Sequence, residues 1–163
     1  MGIYPASKAS VEGEAPSGFA DGGGDASPYN SLILVDTSVL IPFLRGDTGE
    51  RVDRFSFILD SAIPFGISSL IYQEVLQGVK DEKEFTSVKE YLGSQKFYGL
   101  KDAKRSYEEA AMIYYKCRKR GVTIGSTIDC VIAQTAIENN LLLLHEDKDF
   151  VRMKHVAPLR FFE

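Results

Sequence analysis

The sequence predicts an α/β protein, a three-layer α/β/α sandwich with a mainly parallel central sheet. Two continuous apolar runs, Leu32–Val35 and Leu141–Leu144, are typical of strands that are covered on both faces. Apolar residues at helical spacing lie between such runs, as in the segment from Ile128 to Ala136. Because strands and helices alternate along the chain, we expect parallel strands with helices on both faces of their sheet.

Local signals place the individual elements. Ser69 is the expected cap of a helix over Leu70–Gln77, and Gly78 is its expected stop. The expected strands are Leu32–Val35, Ile63–Ile67 (which contains Pro64), a short one at Phe97–Tyr98, Leu141–Leu144 and a last one over Pro158–Phe162. Besides Leu70–Gln77, helices are expected near Val39–Leu44, Glu50–Asp60, Asp81–Leu92 and Ala103–Arg120. One more helix is expected to be capped by Ser126 or Thr127 and to close at Asn139-Asn140.

Residues 1–30 are expected to be a disordered leader that precedes one folded domain over residues 31–163. The leader is rich in Gly, Ala, Ser and Pro, includes the run Gly22-Gly23-Gly24 and has no hydrophobic periodicity. Such a segment buries too little apolar surface to offset the entropy that is lost when a chain becomes ordered. We therefore leave it out of the predicted fold.

The composition excludes several classes of protein. No run approaches the roughly 18 apolar residues that span a bilayer, and no secretion signal is visible, so we expect a cytoplasmic protein with no membrane partner. Cys117 and Cys130 are too few for a disulfide framework and are expected to be reduced and partly buried. Neither cysteine, nor His145 or His155, has the spacing of zinc ligands.

The net charge of −4 is concentrated in the leader, whose one lysine and four acids give −3 and leave about −1 for residues 31–163. A nearly neutral domain is not a general nucleic-acid binder, but it is compatible with an acidic pocket beside a local basic surface. The basic residues that outnumber acids in one region are Lys96, Lys101, Lys104, Arg105, Lys116, Arg118, Lys119 and Arg120. The run Arg118-Lys119-Arg120 also suits the C-terminal end of a helix dipole.

Four acids fall where a parallel sheet would bring them together. Asp36 follows the first strand, Asp147 follows the strand Leu141–Leu144, Glu74 lies in the helix after the second strand, and Asp129 lies in the first turn of its helix. In such sheets the ends of strands and the starts of the following helices meet at one edge, where ligands bind. Gathered carboxylates repel one another unless one takes up a proton or a cation binds.

A hard divalent cation, Mg²⁺ or Mn²⁺, suits this set of carboxylate oxygens. A cation of this kind can lower the pKa of a bound water and stabilise charge on a phosphoryl group. The sequence offers no Ser-His-Asp or Cys-His pairing and no phosphate-binding glycine loop as a competing chemistry.

Each acid also has a purely structural interpretation. Asp36 can cap the helix that follows it, and Asp147 can cap the turn into Asp149-Phe150. Asp129 can complete a capping box with Ser126, and Glu74 can be a solvated helix charge. Capping and metal binding can hold at once, so these alternatives stay open at this point.

The segments around the acids resemble the PIN-domain ribonucleases, and especially the VapC-type toxins of toxin–antitoxin pairs. The resemblance covers residues 31–163, with its motifs in the family's order and spacing. Four motifs carry it. The first is Val35-Asp36-Thr37-Ser38-Val39-Leu40-Ile41 with Leu44-Arg45-Gly46, and the second is Ile67-Ser68-Ser69-Leu70-Ile71-Tyr72-Gln73-Glu74-Val75. The third is Gly125-Ser126-Thr127-Ile128-Asp129-Cys130-Val131-Ile132-Ala133, and the fourth is Leu143-Leu144-His145-Glu146-Asp147-Lys148-Asp149-Phe150.

This resemblance implies that Asp36, Glu74, Asp129 and Asp147 are the catalytic and metal-binding acids. It implies that the hydroxyl groups of Thr37 and Ser126 lie near the metal, although helix capping is an alternative role for both. Asp149 would be an auxiliary acid or, as we slightly favour, a cap of the short helix after it. The sequence departs from the family at His145-Glu146, where relatives often carry Thr or another small polar residue, and Glu146 would add charge to the pocket.

The implied activity is Mg²⁺- or Mn²⁺-dependent endonucleolytic cleavage of RNA that leaves a 5′-phosphate and a 3′-hydroxyl. Asp36, Asp129 and Asp147 would bind the ion directly or through water, and Glu74 would bind a second ion or accept a proton. The implied partners are the RNA substrate, a cognate antitoxin protein and a second copy of the chain. The apolar faces near Val39–Leu44 and Phe55–Leu59 are candidates for these interfaces, with plain core as their alternative.

Two other functions fit parts of the pattern. A receiver-type signalling domain has the same alternation of strands and helices, but it needs adjacent acids after the first strand and a lysine after a late strand. Asp36-Thr37-Ser38 and His145-Glu146 supply neither. A non-catalytic PIN-like module that binds protein or RNA would retain the acids without turnover, and the sequence leaves this alternative open.

Overall fold

The central sheet has five parallel strands, and the strand order places the first strand in the middle. The computed structural model describes residues 32–163, so the predicted leader over residues 1–30 lies outside the described residues. The strands are β1 (Ile33–Val35), β2 (Phe65–Ser68), β3 (Lys96–Tyr98), β4 (Leu142–Leu144) and β5 (Arg160–Phe161), in the order β3-β2-β1-β4-β5. All four pairings are parallel. The predicted α/β sandwich with a mainly parallel sheet is confirmed.

Seven helices connect these strands within residues 32–163. They are α1 (Thr37–Arg45), α2 (Glu50–Asp60), α3 (Ser69–Gln77), α4 (Glu82–Gly93), α5 (Arg105–Lys119), α6 (Thr127–Glu138) and α7 (Lys148–Met153). The predicted helices are all present, and most of their ends differ by one or two residues, which is normal for helix ends. The short helix α7 was expected only as a turn or a short helix after Asp147.

Two helix starts differ from the sequence prediction for reasons of capping. The cap of α3 is Ser68 rather than Ser69, because the Ser68 hydroxyl accepts a hydrogen bond from the Ile71 amide at 3.3 Å. Helix α1 begins at Thr37, two residues before the predicted start, because the Asp36 carboxylate caps it. As predicted, Gly78 ends α3. Both helices therefore begin immediately after a strand, with a polar side chain at the junction.

The core lies around the two continuous apolar runs. Each residue of β1, Ile33 to Val35, is completely buried, and Leu143 and Leu144 of β4 are also buried. Apolar residues that are buried on both faces of a strand require helices on both sides of the sheet. Cys117 and Cys130 are free and lie buried in the core.

Gly66 allows β3 to lie beside β2. A methyl group at this position would lie 2.4 Å from the carbonyl oxygen of Lys96 and 2.5 Å from the ring of Tyr98. Real side chains do not tolerate such distances, so only glycine fits here without a shift of the neighbouring strand. The close approach fixes the β2–β3 register, in which Gly66 lies opposite Lys96.

The sheet topology brings three strand ends together at one edge. β1 is paired with β2 on one side and with β4 on the other, and the chain leaves all three strands at the same edge because they are parallel. The Asp36 amide donates a hydrogen bond to the Leu144 carbonyl at 3.0 Å, which joins the end of β1 to the end of β4. No helix in the described part of the chain is long and apolar enough to cross a membrane.

Candidate functional site

A cavity of about 490 Å³ opens at the carboxyl edge of the sheet, and all four predicted acids line it. Its walls come from the ends of β1 and β4 and from the first turns of α1, α2 and α6, with Glu74 of α3 at one side. The lining residues are Asp36, Thr37, Ser38, Ile41, Pro42, Arg51, Glu74, Ser126, Ile128, Asp129 and Asp147. The structure therefore brings together acids from four separate segments of the chain.

Asp36 is the most buried of the four acids, with 4% of its surface exposed. Its Oδ2 accepts hydrogen bonds from the Ser38 amide at 2.9 Å and from the Ser38 hydroxyl at 2.6 Å. Burial raises the pKa of Asp36, the bonds from Ser38 oppose that rise, and the negative charge of Glu74 adds to it. The carboxylate is thus both the cap of α1 and one wall of the cavity.

Asp129 shows most directly that the acids repel one another. Burial raises its pKa to about 7, and the negative charges of Asp147, Asp36, Asp149 and Glu74 all act in the same direction. In the absence of a cation, a large fraction of Asp129 is therefore protonated near neutral pH. A group with this behaviour in a cavity is typical of a functional site.

Asp147 and Glu74 lie at more open positions. Asp147 is half-buried and caps α7, since its Oδ1 accepts a hydrogen bond from the Asp149 amide at 2.8 Å. Glu74 is exposed on α3. Capping is confirmed for Asp36 and Asp147, and both residues also line the cavity. Each therefore caps a helix and belongs to the candidate site at the same time.

Asp149 is not the cap of α7, and the slightly favoured interpretation of this residue was wrong. Its carboxylate is buried, and Oδ2 accepts a hydrogen bond from the Gly125 amide at 2.6 Å. Oδ1 accepts one from Arg152 at 2.6 Å. Asp147 already occupies the capping position, so Asp149 is free to anchor the loop that precedes α6. Asp149 does not line the cavity, and it contributes to the site through the loop that it anchors.

The two predicted hydroxyl residues lie at the cavity. Thr37 is buried in the first turn of α1, and Ser126 caps α6 by accepting a hydrogen bond from the Ile128 amide at 3.1 Å. Capping by Ser126 is therefore confirmed. In the reciprocal capping box with Asp129, the Asp129 amide would donate to the Ser126 hydroxyl, but the observed donor is the preceding amide, that of Ile128.

Sequence reasoning missed Ser38 as a member of the site. Its hydroxyl donates to Asp36 and accepts a hydrogen bond from the Glu146 amide at 3.0 Å, so it joins the loops that follow β1 and β4. The signal was available in the motif Val35-Asp36-Thr37-Ser38, because a hydroxyl two residues after a capping Asp can contact its carboxylate.

Arg51 of α2 was missed as well, because no sequence motif includes it. The eight basic residues that were singled out in the sequence do not line the cavity. Arg118 and Lys119 lie about 5.9 Å from the ring of Tyr115, near the C-terminal end of α5, where positive charge favours the helix dipole.

Glu146 does not add its charge to the acidic cavity. It is exposed and lines a neighbouring cavity, together with His145. The ring of His145 packs between Phe150 and Phe161, with ring centroids 5.1 and 4.3 Å away. Its buried Nδ1 has no hydrogen-bond partner, and burial lowers the pKa of this histidine, so the neutral form is favoured. His145 therefore behaves as part of the aromatic core beside the site.

The donor set fits a hard divalent cation. It consists of carboxylate and hydroxyl oxygens, while both cysteines lie in the core and no histidine lines the cavity. Within residues 32–163, no group of three or more His, Cys, Asp or Glu side chains is placed so that it could hold a metal ion by itself. Mg²⁺ usually keeps several waters and is bound by only one or two carboxylates together with phosphate oxygens of the substrate.

A parallel α/β sandwich with an acidic cavity at the carboxyl edge of its sheet defines the class of this protein. Residues 33–156 match the PIN domain family, and the chain belongs to that family. It is 30% identical over 131 residues to a VapC ribonuclease of Mycobacterium bovis and to ribonuclease VapC11 of Mycobacterium tuberculosis. Each alignment covers 79% of this chain and 96% of the relative. The resemblance found in the sequence is confirmed.

Solved structures share the fold. The structure of VapBC-1 from nontypeable Haemophilus influenzae matches with a TM-score of 0.61 and 20% identity, over 81% of this chain and 97% of the other. The structure of FitAcB from Neisseria gonorrhoeae matches with a TM-score of 0.58 and 23% identity, over 80% and 96%. At these identities the likeness concerns the fold alone.

Proposed function

We propose that this protein is a metal-dependent endoribonuclease and the toxin of a type II toxin–antitoxin pair. The observation that carries the proposal is the gathering of Asp36, Glu74, Asp129 and Asp147 around one cavity, with the pKa of Asp129 raised to about 7 by burial and by the other acids. Such a gathering is costly unless a cation binds, and it is retained in a chain whose relatives are named as ribonucleases.

Asp36, Asp129 and Asp147 would hold Mg²⁺ or Mn²⁺, directly or through water. When bound, the ion would supply a water of lowered pKa and positive charge beside the phosphodiester. Two hydrogen bonds from Ser38 to Oδ2 hold the Asp36 carboxylate in place at the cavity. Asp147 is fixed in the same way by its bond to the Asp149 amide. The site therefore pre-arranges two of its acids before substrate arrives.

Glu74 would accept the proton of the attacking water. It is the exposed acid of the four, so its carboxylate is accessible from the mouth of the cavity and is free to move toward a substrate. In-line attack of that water on a phosphodiester would leave a 5′-phosphate and a 3′-hydroxyl. Thr37 and Ser126 line the cavity with hydroxyl groups that can orient water.

The proposed protein partners are an antitoxin and a second copy of this chain. Structures similar in fold include toxin–antitoxin complexes, one of them from Klebsiella pneumoniae. The candidate interface residues in Val39–Leu44 and Phe55–Leu59 are largely core, since Val39, Leu40 and Phe55 are fully buried. A better surface for the second copy is an apolar groove between α3, α5 and α6, where Tyr107 and Ile128 are 55% and 45% exposed.

RNA cleavage tests the proposal. We expect the purified protein to cut single-stranded RNA with Mg²⁺ or Mn²⁺ and to lose this activity in EDTA. Asp36→Asn and Asp129→Asn should each lower the rate by at least about 100-fold, because removing one charged group from an electrostatic site typically costs this much. Asp60→Asn, which changes an exposed acid at the end of α2, is the matched control and should cleave at the native rate.

Equal cleavage by the native protein and both site variants would show that the acids are not catalytic. An absence of cleavage combined with RNA binding would favour the alternative, a non-catalytic PIN-like module. The observation that supports this alternative is that no three His, Cys, Asp or Glu side chains in residues 32–163 are placed so that they could hold a metal ion. Growth arrest on expression of the native chain, but not of Asp129→Asn, tests the toxin role separately.

A further inference from the structure

We propose that Arg51 binds a phosphate group of the RNA at the acidic cavity, beside the bond that is cut. This inference rests on the proposed nuclease function and deepens it by naming the residue that attracts the substrate. Arg51 lies in the first turn of α2, and its side chain lines the same cavity as the four acids. It is the one Lys or Arg among the described residues that line this cavity.

The guanidinium of Arg51 is available for a ligand. Within residues 32–163, the side chain of Arg51 forms no ion pair and no hydrogen bond. Its neighbour Arg54, one turn further along α2, differs in this respect because it forms an ion pair with Glu50 at 2.5 Å. The two arginines on one helix are therefore chemically distinct, and only Arg51 faces the acids without a partner.

An RNA phosphate needs positive charge at this cavity in addition to that of one divalent ion, because four acids line it. The four carboxylates repel the phosphodiester backbone, and the basic residues of α5 do not reach the lining. A guanidinium stays charged at every physiological pH, and its planar fork of N–H donors matches two phosphate oxygens at once. Arg51 thus supplies a positive charge and N–H donors at the cavity wall, which the acids cannot supply.

A different role for Arg51 would be to neutralise the acids in the free protein. Within residues 32–163, however, Arg51 forms no ion pair with any of the four acids, although it lines the same cavity. Arg51 therefore does not pair with these carboxylates in the free protein.

The test is binding of a short, fluorescently labelled, single-stranded RNA to the full chain with Asp129→Asn, which removes cleavage. Replacing Arg51 with Ala in this background should weaken affinity about 5- to 20-fold. It should also reduce the slope of log affinity against log salt by about 0.7, the value for one phosphate contact on a single strand. Arg51→Lys should restore most of the salt slope, and Arg54→Ala is the matched control, expected to bind as its parent does.

Cleavage by the corresponding variants with Asp129 intact separates this inference from the nuclease proposal. If the native chain cuts RNA and Arg51→Ala cuts and binds it equally well, the inference is wrong and the nuclease stands. If the native chain cuts no RNA, the nuclease proposal fails, and the binding series still decides the role of Arg51. A lower melting temperature for metal-free Arg51→Ala, restored by Asp129→Asn, would assign Arg51 to charge neutralisation and overturn the inference.

Discussion

The buried carboxylate of Asp149 accepts a hydrogen bond from the Gly125 amide at 2.6 Å, and this bond joins α7 to the loop that leads into α6. The loop carries Ser126, the cap of α6, and Asp129 follows in the first turn of that helix. The position of one proposed catalytic acid therefore depends on a residue that does not itself line the cavity.

Replacing Asp149 with Ala should lower both stability and activity. The variant leaves the Gly125 amide without its partner, at a cost of about 1–3 kcal/mol in the free energy of unfolding. It also loosens the loop that positions Asp129, so cleavage should fall about 10-fold or more. Arg152→Ala is the control, because it removes the ion pair with Asp149 but keeps the bond to Gly125. Urea denaturation and cleavage rates check both effects, and equal activity losses in the two variants would contradict the assignment.

Replacing Ser38 with Ala should reduce activity with little loss of stability. The hydroxyl of Ser38 joins Asp36 to the Glu146 amide, so its removal lets the Asp36 carboxylate rotate away from the cavity. Residues that orient a metal-binding carboxylate typically contribute 10- to 100-fold to metal affinity or activity. The measurement is the Mn²⁺ concentration that gives half-maximal cleavage, which should rise. Ser38→Thr keeps the hydroxyl and should recover activity. Ser87→Ala, at a half-buried position of α4 that does not line the cavity, should have no effect.

The metal-free protein should become less stable as the pH rises from 5 to 8. The folded-state pKa of Asp129 is about 7, against an ordinary value of 3.8, so between these values the folded protein holds a proton that the unfolded chain has released. This contribution to stability is complete below pH 3.8 and is lost as the pH rises through about 7. The burial that raises the pKa of Asp36 acts in the same direction.

Asp129→Asn isolates this effect. In EDTA at pH 8, the variant should melt about 3–6 °C above the native protein, and the difference should shrink at pH 5. Mn²⁺ should raise the melting temperature of the native protein at pH 8 more than at pH 5, and should raise that of the variant much less. An Asp129→Asn variant that melts below the native protein at pH 8 would show that the acids are not in electrostatic conflict.

Gly66→Ala should destabilise the fold by at least about 2 kcal/mol, because the added methyl group would collide with the backbone of Lys96 and with the ring of Tyr98. Gly99→Ala is the matched control, since a methyl group there meets nothing within 4 Å. Chemical denaturation of both variants measures the difference. Equal stability of the two would mean that β3 can move away from β2 at little cost.

Sequence analysis predicted best the elements whose type follows directly from the pattern of their own apolar side chains. The runs at Leu32–Val35 and Leu141–Leu144 are apolar on every residue, and a strand between two helical layers buries Ile33–Val35, Leu143 and Leu144. The acids at their ends then followed from the parallel topology. The structure brings them together around one cavity.

The features that escaped prediction depend on contacts between distant segments. Ser68 rather than Ser69 caps α3, because the backbone at the end of β2 decides which hydroxyl faces the first free amides. Asp149 was taken for a helix cap because its bond to Gly125 spans 24 residues. Arg51 belongs to the cavity only through the packing of α2, and no local pattern marks it.

The placement of β4 beside β1 has a consequence for the synthesis of this protein. The Asp36 amide is bonded to the end of a strand that lies more than a hundred residues later, and Asp147 follows that strand directly. A growing chain that has already emerged through Asp36, Glu74 and Asp129 still lacks the strand that aligns them. We therefore expect a growing chain to lack the aligned set of acids until β4 has paired with β1.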